Sequence, residues 1–238
     1  MPNTVFAFKQ FNVKQDKCAM KVGTDAVLLG AWVEPNDAKF ILDIGTGTSV
    51  IALMLAQKTN ASIIGIDIDL SATQQAQENV DESKFKEQIK IIHSSLQDYV
   101  KITDLKFQMI VSNPPFFEQS LKPVDEKRSN ARHADVLPFD DLLDCVIKLL
   151  DESGKFCLIL PTLEAEKFRN MAQKKGLYLS KLLRIKSRAD KDTDKRHIMQ
   201  FEYKPGEFSE NTLVIEGDER HLYTKDYKEL TKEYYLNF

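Results

Sequence analysis

Five short apolar runs, 40–43, 62–67, 89–93, 107–112 and 154–160, alternate with segments whose apolar residues recur at spacings of three and four. Runs of that length, rich in β-branched residues, read as parallel strands buried on both faces, because crossover helices cover each side of such a sheet. The intervening segments 49–57, 70–80, 139–150 and 162–175 carry the helical period, with Ser71 and Thr162 placed as N-terminal caps. Regular alternation of this kind implies an α/β fold, a doubly wound sheet. Late in the chain, 178–186 and 197–203 pair as two more strands around the charged turn 187–196.

The 238 residues, 42% of them hydrophobic, can fill one sizeable core. No apolar stretch approaches the roughly 20 residues of a membrane-spanning helix, and no basic segment followed by a long apolar run stands at the start, so a cytoplasmic location without membrane contact is expected. Cys18, Cys145 and Cys157 are far apart and lack Cys-x-x-Cys spacing, which points to buried, reduced packing residues. His93, His133, His197 and His221 show no metal-ligand spacing, and no metal is expected. A net charge of −3 argues against a wholly basic nucleic-acid binder, but charge is unevenly spread. Between Lys167 and Arg196, eleven Lys or Arg face three Asp, and Lys122, Lys127, Arg128, Arg132 and His133 form a second cluster. Three such runs, counting Lys9, Lys14, Lys17 and Lys21, can hold phosphates or be a solvated face.

Asp43-Ile44-Gly45-Thr46-Gly47-Thr48-Ser49 joins the first strand to a helix. Glycines permit a tight turn and close ligand approach, and the helix start offers free amides, so a nucleotide-like cofactor is expected. A dinucleotide fits poorly, since Val50 replaces the third glycine of its fingerprint and Asp43 would repel a pyrophosphate. S-adenosylmethionine fits better: its ammonium and sulfonium favour a nearby carboxylate. Asp67 ends the second strand, where a carboxylate can accept both ribose hydroxyls, with Asp69 as rival and helix capping as the other reading. After the third strand, Ser95 can meet the adenine amine and Leu96 offers an amide or an apolar cover, although a Ser-rich segment is also an ordinary turn.

Asn113-Pro114-Pro115-Phe116 follows the fourth strand. The Asn113 side-chain carbonyl and the Pro114 main-chain carbonyl can face one planar NH2, and Phe116 can stack on the group carrying it. Taken alone, the same dipeptides mark a turn.

The ordered set Asp-x-Gly-x-Gly, acid at the end of strand two and Asn-Pro-Pro-Phe after strand four resembles the class I S-adenosylmethionine-dependent methyltransferases that modify exocyclic or amide nitrogens. Segment 11–32, with Val22-Gly23-Thr24-Asp25-Ala26-Val27-Leu28-Leu29-Gly30-Ala31-Trp32, together with Ala131-Arg132-His133 and the tail 223–236, resembles the bacterial tRNA1(Val) adenine-37 N6-methyltransferase family over nearly the whole chain. The resemblance implies a Rossmann-like seven-stranded sheet, mostly parallel with one antiparallel strand near an edge. It implies a single methyltransferase domain over 1–238, with an N-terminal extension 1–36 and a C-terminal strand and helix tail 207–238. Asp43, Gly45, Thr46, Gly47, Asp67 and its neighbour Ile68, with Ser95 and Leu96, would hold the cofactor. Thr24 and Asp25 would close over its methionine end, unless they only cap a helix. Asn113, Pro114 and Phe116 would take the target base, and Lys127, Arg128, Arg132, His133, Arg188 and Arg196 would meet tRNA.

Four positions depart from the family pattern: Ser49 for a frequent glycine, Ser95 for an adenine-binding Asp, Phe116 for Tyr, and Ala134 for an acid that here comes one place later as Asp135. A planar amine also occurs on a protein glutamine and on DNA adenine, so those substrates, and a non-catalytic RNA-binding module on the same fold, stay open at this point.

Overall fold

A computed structural model describes residues 4–18, 20–115 and 137–238. A hairpin of β1 (Val5–Ala7) and β2 (Asn12–Lys14) leads to helix α1 (Thr24–Trp32). The alternation then runs β3 (Phe40–Ile44), α2 (Val50–Ala56), β4 (Ser62–Asp67), α3 (Leu70–Asp81), β5 (Ile89–His93), α4 (Leu96–Ile102) and β6 (Phe107–Ser112). It continues through α5 (Phe139–Leu149), β7 (Leu150–Pro161), α6 (Thr162–Lys174), the hairpin β8 (Tyr178–Arg188) and β9 (Arg196–Glu202), then β10 (Ser209–Glu216) and α7 (Lys225–Thr231).

The main sheet has the order β10-β8-β9-β7-β6-β3-β4-β5. Only β9 runs antiparallel to its neighbours, because the short turn from β8 leaves no room for a crossover. The seven expected strands are β3 to β9, and the tail adds an eighth, β10, parallel to β8. Alternate strand residues feed two cores: Ile41, Ile63, Met109, Val111, Cys157 and Ile159 pack with α1, α2 and α7 on one face. Leu42, Ile64, Ile110, Phe156, Leu158 and Leu160 pack with α4, α5 and α6 on the other.

The extension and the tail close over one face together. Lys9 N donates to Tyr234 O at 2.9 Å, the Tyr234 hydroxyl donates to Met54 O at 3.3 Å, and the Tyr235 ring stacks on Phe8. A Cβ on Gly30 would meet Met54 Sδ at 2.8 Å, so glycine sets how closely α1 can cross α2.

Three expectations need correction. Asp69, not Ser71, caps α3: its carboxylate accepts from the amides of Ser71 at 2.8 Å and Ala72 at 3.4 Å. Thr162 is the first residue of α6 after the extended Pro161, and its hydroxyl donates to Asp194 O at 3.0 Å. Proline suits that place because it has no amide to leave unpaired. Cys145 and Cys157 are buried as expected, but Cys18 is half-exposed.

Candidate active site

The strand registers bring Ile44, Ile66, Ser112 and, one step on, Asp67 and His93 to one level at the C-terminal edge of the sheet. There β3 stands between β4, which follows it in the chain, and β6, where the strand order reverses; open α/β sheets bind ligands at such a point. A cavity of about 680 Å3 occupies it, walled by loops 44–48, 66–69, 94–97 and 112–115 and by the segment from Cys18 to Ala26. Ser112 ties two of these strand ends together, its hydroxyl donating to Ile44 O at 3.0 Å.

Gly45 and Gly47 have φ of 70° and 55°, and a Cβ on either would meet no protein atom within 4 Å. They are glycine for the left-handed turn, and the space beside them is left for a ligand. Ser49 also sits at positive φ, 67°, with a buried hydroxyl that has no hydrogen-bond partner among the described residues, the cost of departing from glycine there. The Thr46 and Gly45 amides both donate to Ile66 O at 2.9 Å, which fixes the loop over β4.

Asp43 is fully buried beneath this loop and is not part of the cavity wall. Its Oδ2 accepts the Thr46 hydroxyl at 2.7 Å, while Oδ1 makes no hydrogen bond of good geometry among the described residues and has only a weak approach from the Ala52 amide. Burial pushes its carboxyl up to about 7; Thr46 offsets part of this, Asp67 adds to it, and the Ala52 amide offsets a little. The folded protein therefore holds this proton more tightly than the unfolded chain. The group's contribution to stability is full below about pH 4 and is lost as pH rises through about 7. Denaturant titrations across that range should show wild type losing stability relative to Asp43→Asn, by on the order of a few kcal/mol. A difference that does not change with pH would refute this account.

Asp67 is placed to serve a ligand. Its Oδ2 accepts from Gly47 N at 2.8 Å and its Oδ1 from Asp69 N at 3.0 Å, with the Ile68 amide a weaker third donor, which leaves acceptor capacity for the cavity. Burial raises its pKa and these amides counteract. Asp69 has its carboxylate engaged at the α3 cap, where the Ser71 hydroxyl and amides hold its pKa below the usual range, so less of it is free for a ligand. Ile68 lies on the cavity lip, and its carbonyl is held by His93 Nε2 at 3.0 Å. The charged residues of the wall are Lys21, Asp25, Asp67 and Asp69, a set that favours a cationic ligand over a phosphate. These features fit S-adenosylmethionine.

Ser95 and Leu96 line the same cavity. The Ser95 hydroxyl is occupied locally: it caps α4, accepting from Asp98 N at 3.1 Å and donating to Asp98 Oδ2 at 2.8 Å. Leu96 is buried in the wall. Opposite, Asn113 is half-buried, and Asn113, Pro114 and Pro115 all face the cavity. Phe116, Lys127, Arg128, Arg132 and His133 lie outside the described residues.

Thr24 and Asp25 are on the wall, but neither caps α1, whose N-cap is Gly23. Asp25 instead pairs with Arg196 at 2.8 Å. Arg188 is likewise held, donating to Asp218 O at 2.9 Å and pairing with Asp190 at 3.0 Å. Arg184 pairs with Asp194 at 3.2 Å and with Glu210. Arg184, Arg188 and Arg196 thus brace the β8–β9 hairpin, while Lys181, Lys186, Lys191 and Lys195 form no ion pair with the described residues.

One wall was not foreseen from sequence. Cys18, Met20, Lys21, Val22 and Gly23 form a strap across the cavity, and the strap is tied down by buried carboxamides of α3. The Cys18 thiol is pushed up to about 11 by burial and by Asp69, Asp67 and Asp16, so it is a neutral wall group. The available signal was Gln75 and Asn79, polar residues four apart on the inner stripe of α3.

The profile of the Methyltransferase small domain matches residues 18–129. A protein of Trichodesmium erythraeum named tRNA1(Val) (adenine(37)-N6)-methyltransferase is 43% identical over 241 residues, covering 100% of both chains. A protein of the same name from Phocaeicola vulgatus is 44% identical over 238 residues, again covering 100% of both. Among solved structures, a predicted O-methyltransferase from Agrobacterium tumefaciens superposes with a TM-score of 0.67 at 16% identity, covering 88% of this chain and 96% of its own. A ribosomal protein L11 methylase from Lactobacillus delbrueckii subsp. bulgaricus gives 0.54 at 17%, covering 80% and 84%. At those identities the structures speak for the fold.

Proposed function

The chain belongs to the tRNA1(Val) (adenine(37)-N6)-methyltransferase family, and from that premise we propose which of its residues perform the transfer. The reaction moves a methyl group from S-adenosylmethionine to the exocyclic N6 amine of adenine 37 in the anticodon loop of a valine tRNA. One observation carries the reading: the open glycine turn, the Asp67 carboxylate and Asn113-Pro114 meet on a single cavity.

Asp67 takes the ribose hydroxyls with its remaining acceptor capacity, Gly45 and Gly47 let the ligand lie against the main chain, and Leu96 packs on the adenine ring. Thr24 and Asp25 border the cationic methionine end. Asp43 acts from below, holding Thr46 and hence the loop, without touching the cofactor. S-adenosylmethionine supplies an electrophilic methyl on a sulfonium and departs as a neutral thioether.

The N6 lone pair of adenine is delocalised into the ring and is a weak nucleophile. Two acceptors, the Asn113 side-chain carbonyl and the Pro114 carbonyl, hold the two N6 protons and favour a pyramidal nitrogen aimed at the methyl carbon. Rate then comes from alignment and electrostatics. The surplus proton on nitrogen passes to water once the C–N bond has formed. Because the base is stacked in its loop, it must be turned out into the cavity, and Phe116 would replace part of the lost stacking. Lys181 and Lys186 of β8 and Lys191 and Lys195 of the turn that follows grip phosphates, which makes tRNA binding salt-dependent.

Purified protein with radiolabelled S-adenosylmethionine should label unmodified valine tRNA, and digestion should give N6-methyladenosine at position 37. Label on DNA alone or on a release-factor glutamine would overturn the assignment.

A further inference from the structure

We propose that Asn79 is a positioning residue that staples two walls of the cofactor cavity together and sets the affinity for S-adenosylmethionine; this rests on the cofactor reading above. Asn79 lies in α3, 1% exposed, and touches neither the cavity nor the target-base motif. Its carboxamide makes three hydrogen bonds: Oδ1 accepts from Lys14 N at 2.8 Å, and Nδ2 donates to Lys14 O and to Thr48 O, both at 3.0 Å. Lys14 ends β2 and opens the segment that leads into the strap, and Thr48 sits in the glycine loop between two residues of positive φ. One buried side chain therefore fixes both the strap and the loop, and the cavity lies between them.

The strap is not a strand of the main sheet, so side chains position it. Gln75 Oε1 accepts from Lys17 N at 3.0 Å, and Gln15 Oε1 accepts from Val22 N at 2.9 Å. The ion pairs Lys14–Glu82 and Lys17–Glu78 are solvent-exposed, and pairs of that kind hold geometry weakly. A strap and a loop that sample separate positions would spend part of their time in a cavity of the wrong width. Apparent affinity falls by the fraction of time the competent width is populated.

Asn79→Asp preserves volume and the acceptor for Lys14 N, but it removes both donations and sets a carboxylate against Lys14 O and Thr48 O. Calorimetric titration with S-adenosylmethionine should give a Kd about tenfold or more above wild type, the loss of one to two net hydrogen bonds. At saturating cofactor, kcat should stay within about threefold and KM for tRNA should not move, because Asn113 is positioned by β6 and Ser112 rather than by α3. Val146→Ala, a core truncation in α5 on the opposite face, serves as a generally destabilised control that should keep wild-type affinity. If Asn79→Asp does not fold, Gln75→Ala loosens the strap alone and should raise Kd by about threefold. Wild type that binds while the folded variant binds within twofold of it overturns the inference and leaves the cofactor reading intact. Wild type that binds no S-adenosylmethionine sinks the cofactor reading and the inference with it. Equal losses in Asn79→Asp and Val146→Ala would make the effect one of general stability and also overturn it.

Discussion

Asn113→Ala is expected to lower kcat about 100- to 1,000-fold, the effect of deleting one preorganised polar group aimed at developing charge. The affinity for S-adenosylmethionine should stay within about twofold, since the cofactor contacts proposed above come from β3, β4 and the loop after β5. The side chain is half-buried on the cavity wall and makes no hydrogen bond with the described residues, so truncating it should cost little stability. The end of β6 is held independently by the fully buried Ser112. Single-turnover rates with preloaded cofactor and tRNA separate chemistry from binding. Should the single-turnover rate stay within threefold of wild type, Asn113 has no part in the transfer.

The parts of this molecule legible in the sequence are those set by local pattern. Strands β3 to β7 are visible as short β-branched runs because both of their faces are buried, and the cofactor loop is visible because only glycine tolerates its turns. What stayed hidden depends on contacts distant in sequence. α4 has two buried residues, Leu96 and Tyr99, too few to display a period. Charge counting saw eleven basic residues in one stretch but not that Arg196 meets Asp25, 171 residues away, or that Arg188 is held by Asp190 and Asp218. Choosing between Asp67 and Asp69 needed the cap geometry of α3. Asp43 belongs to the glycine motif, yet its side chain supports the loop from below; adjacent strand residues point to opposite faces, so motif membership does not say which side a carboxylate serves. Asn79 broke the apolar stripe of its helix, and that break marked a place where the helix secures main chain rather than another helix.

Asp67→Ala should weaken S-adenosylmethionine about 100-fold, since two charge-assisted hydrogen bonds to the ribose hydroxyls would be lost, worth about 1.5 kcal/mol or more each. The same carboxylate also holds the amides of Gly47 and Asp69, so a weaker Kd alone does not separate contact from scaffolding. Removing the other side of the contact does. A cofactor analogue lacking the ribose 2′-hydroxyl should bind wild type about tenfold more weakly than the parent, yet bind Asp67→Ala with nearly the parent's affinity for that variant. The direction of pH dependence is fixed as well. Burial raises the Asp67 pKa and hydroxyl donors prefer the ionised carboxylate, so wild-type affinity should fall on acidification while that of Asp67→Ala falls less. If the deoxy analogue loses the same factor with both proteins, Asp67 acts on affinity through Gly47 and the loop, and the ribose is held elsewhere.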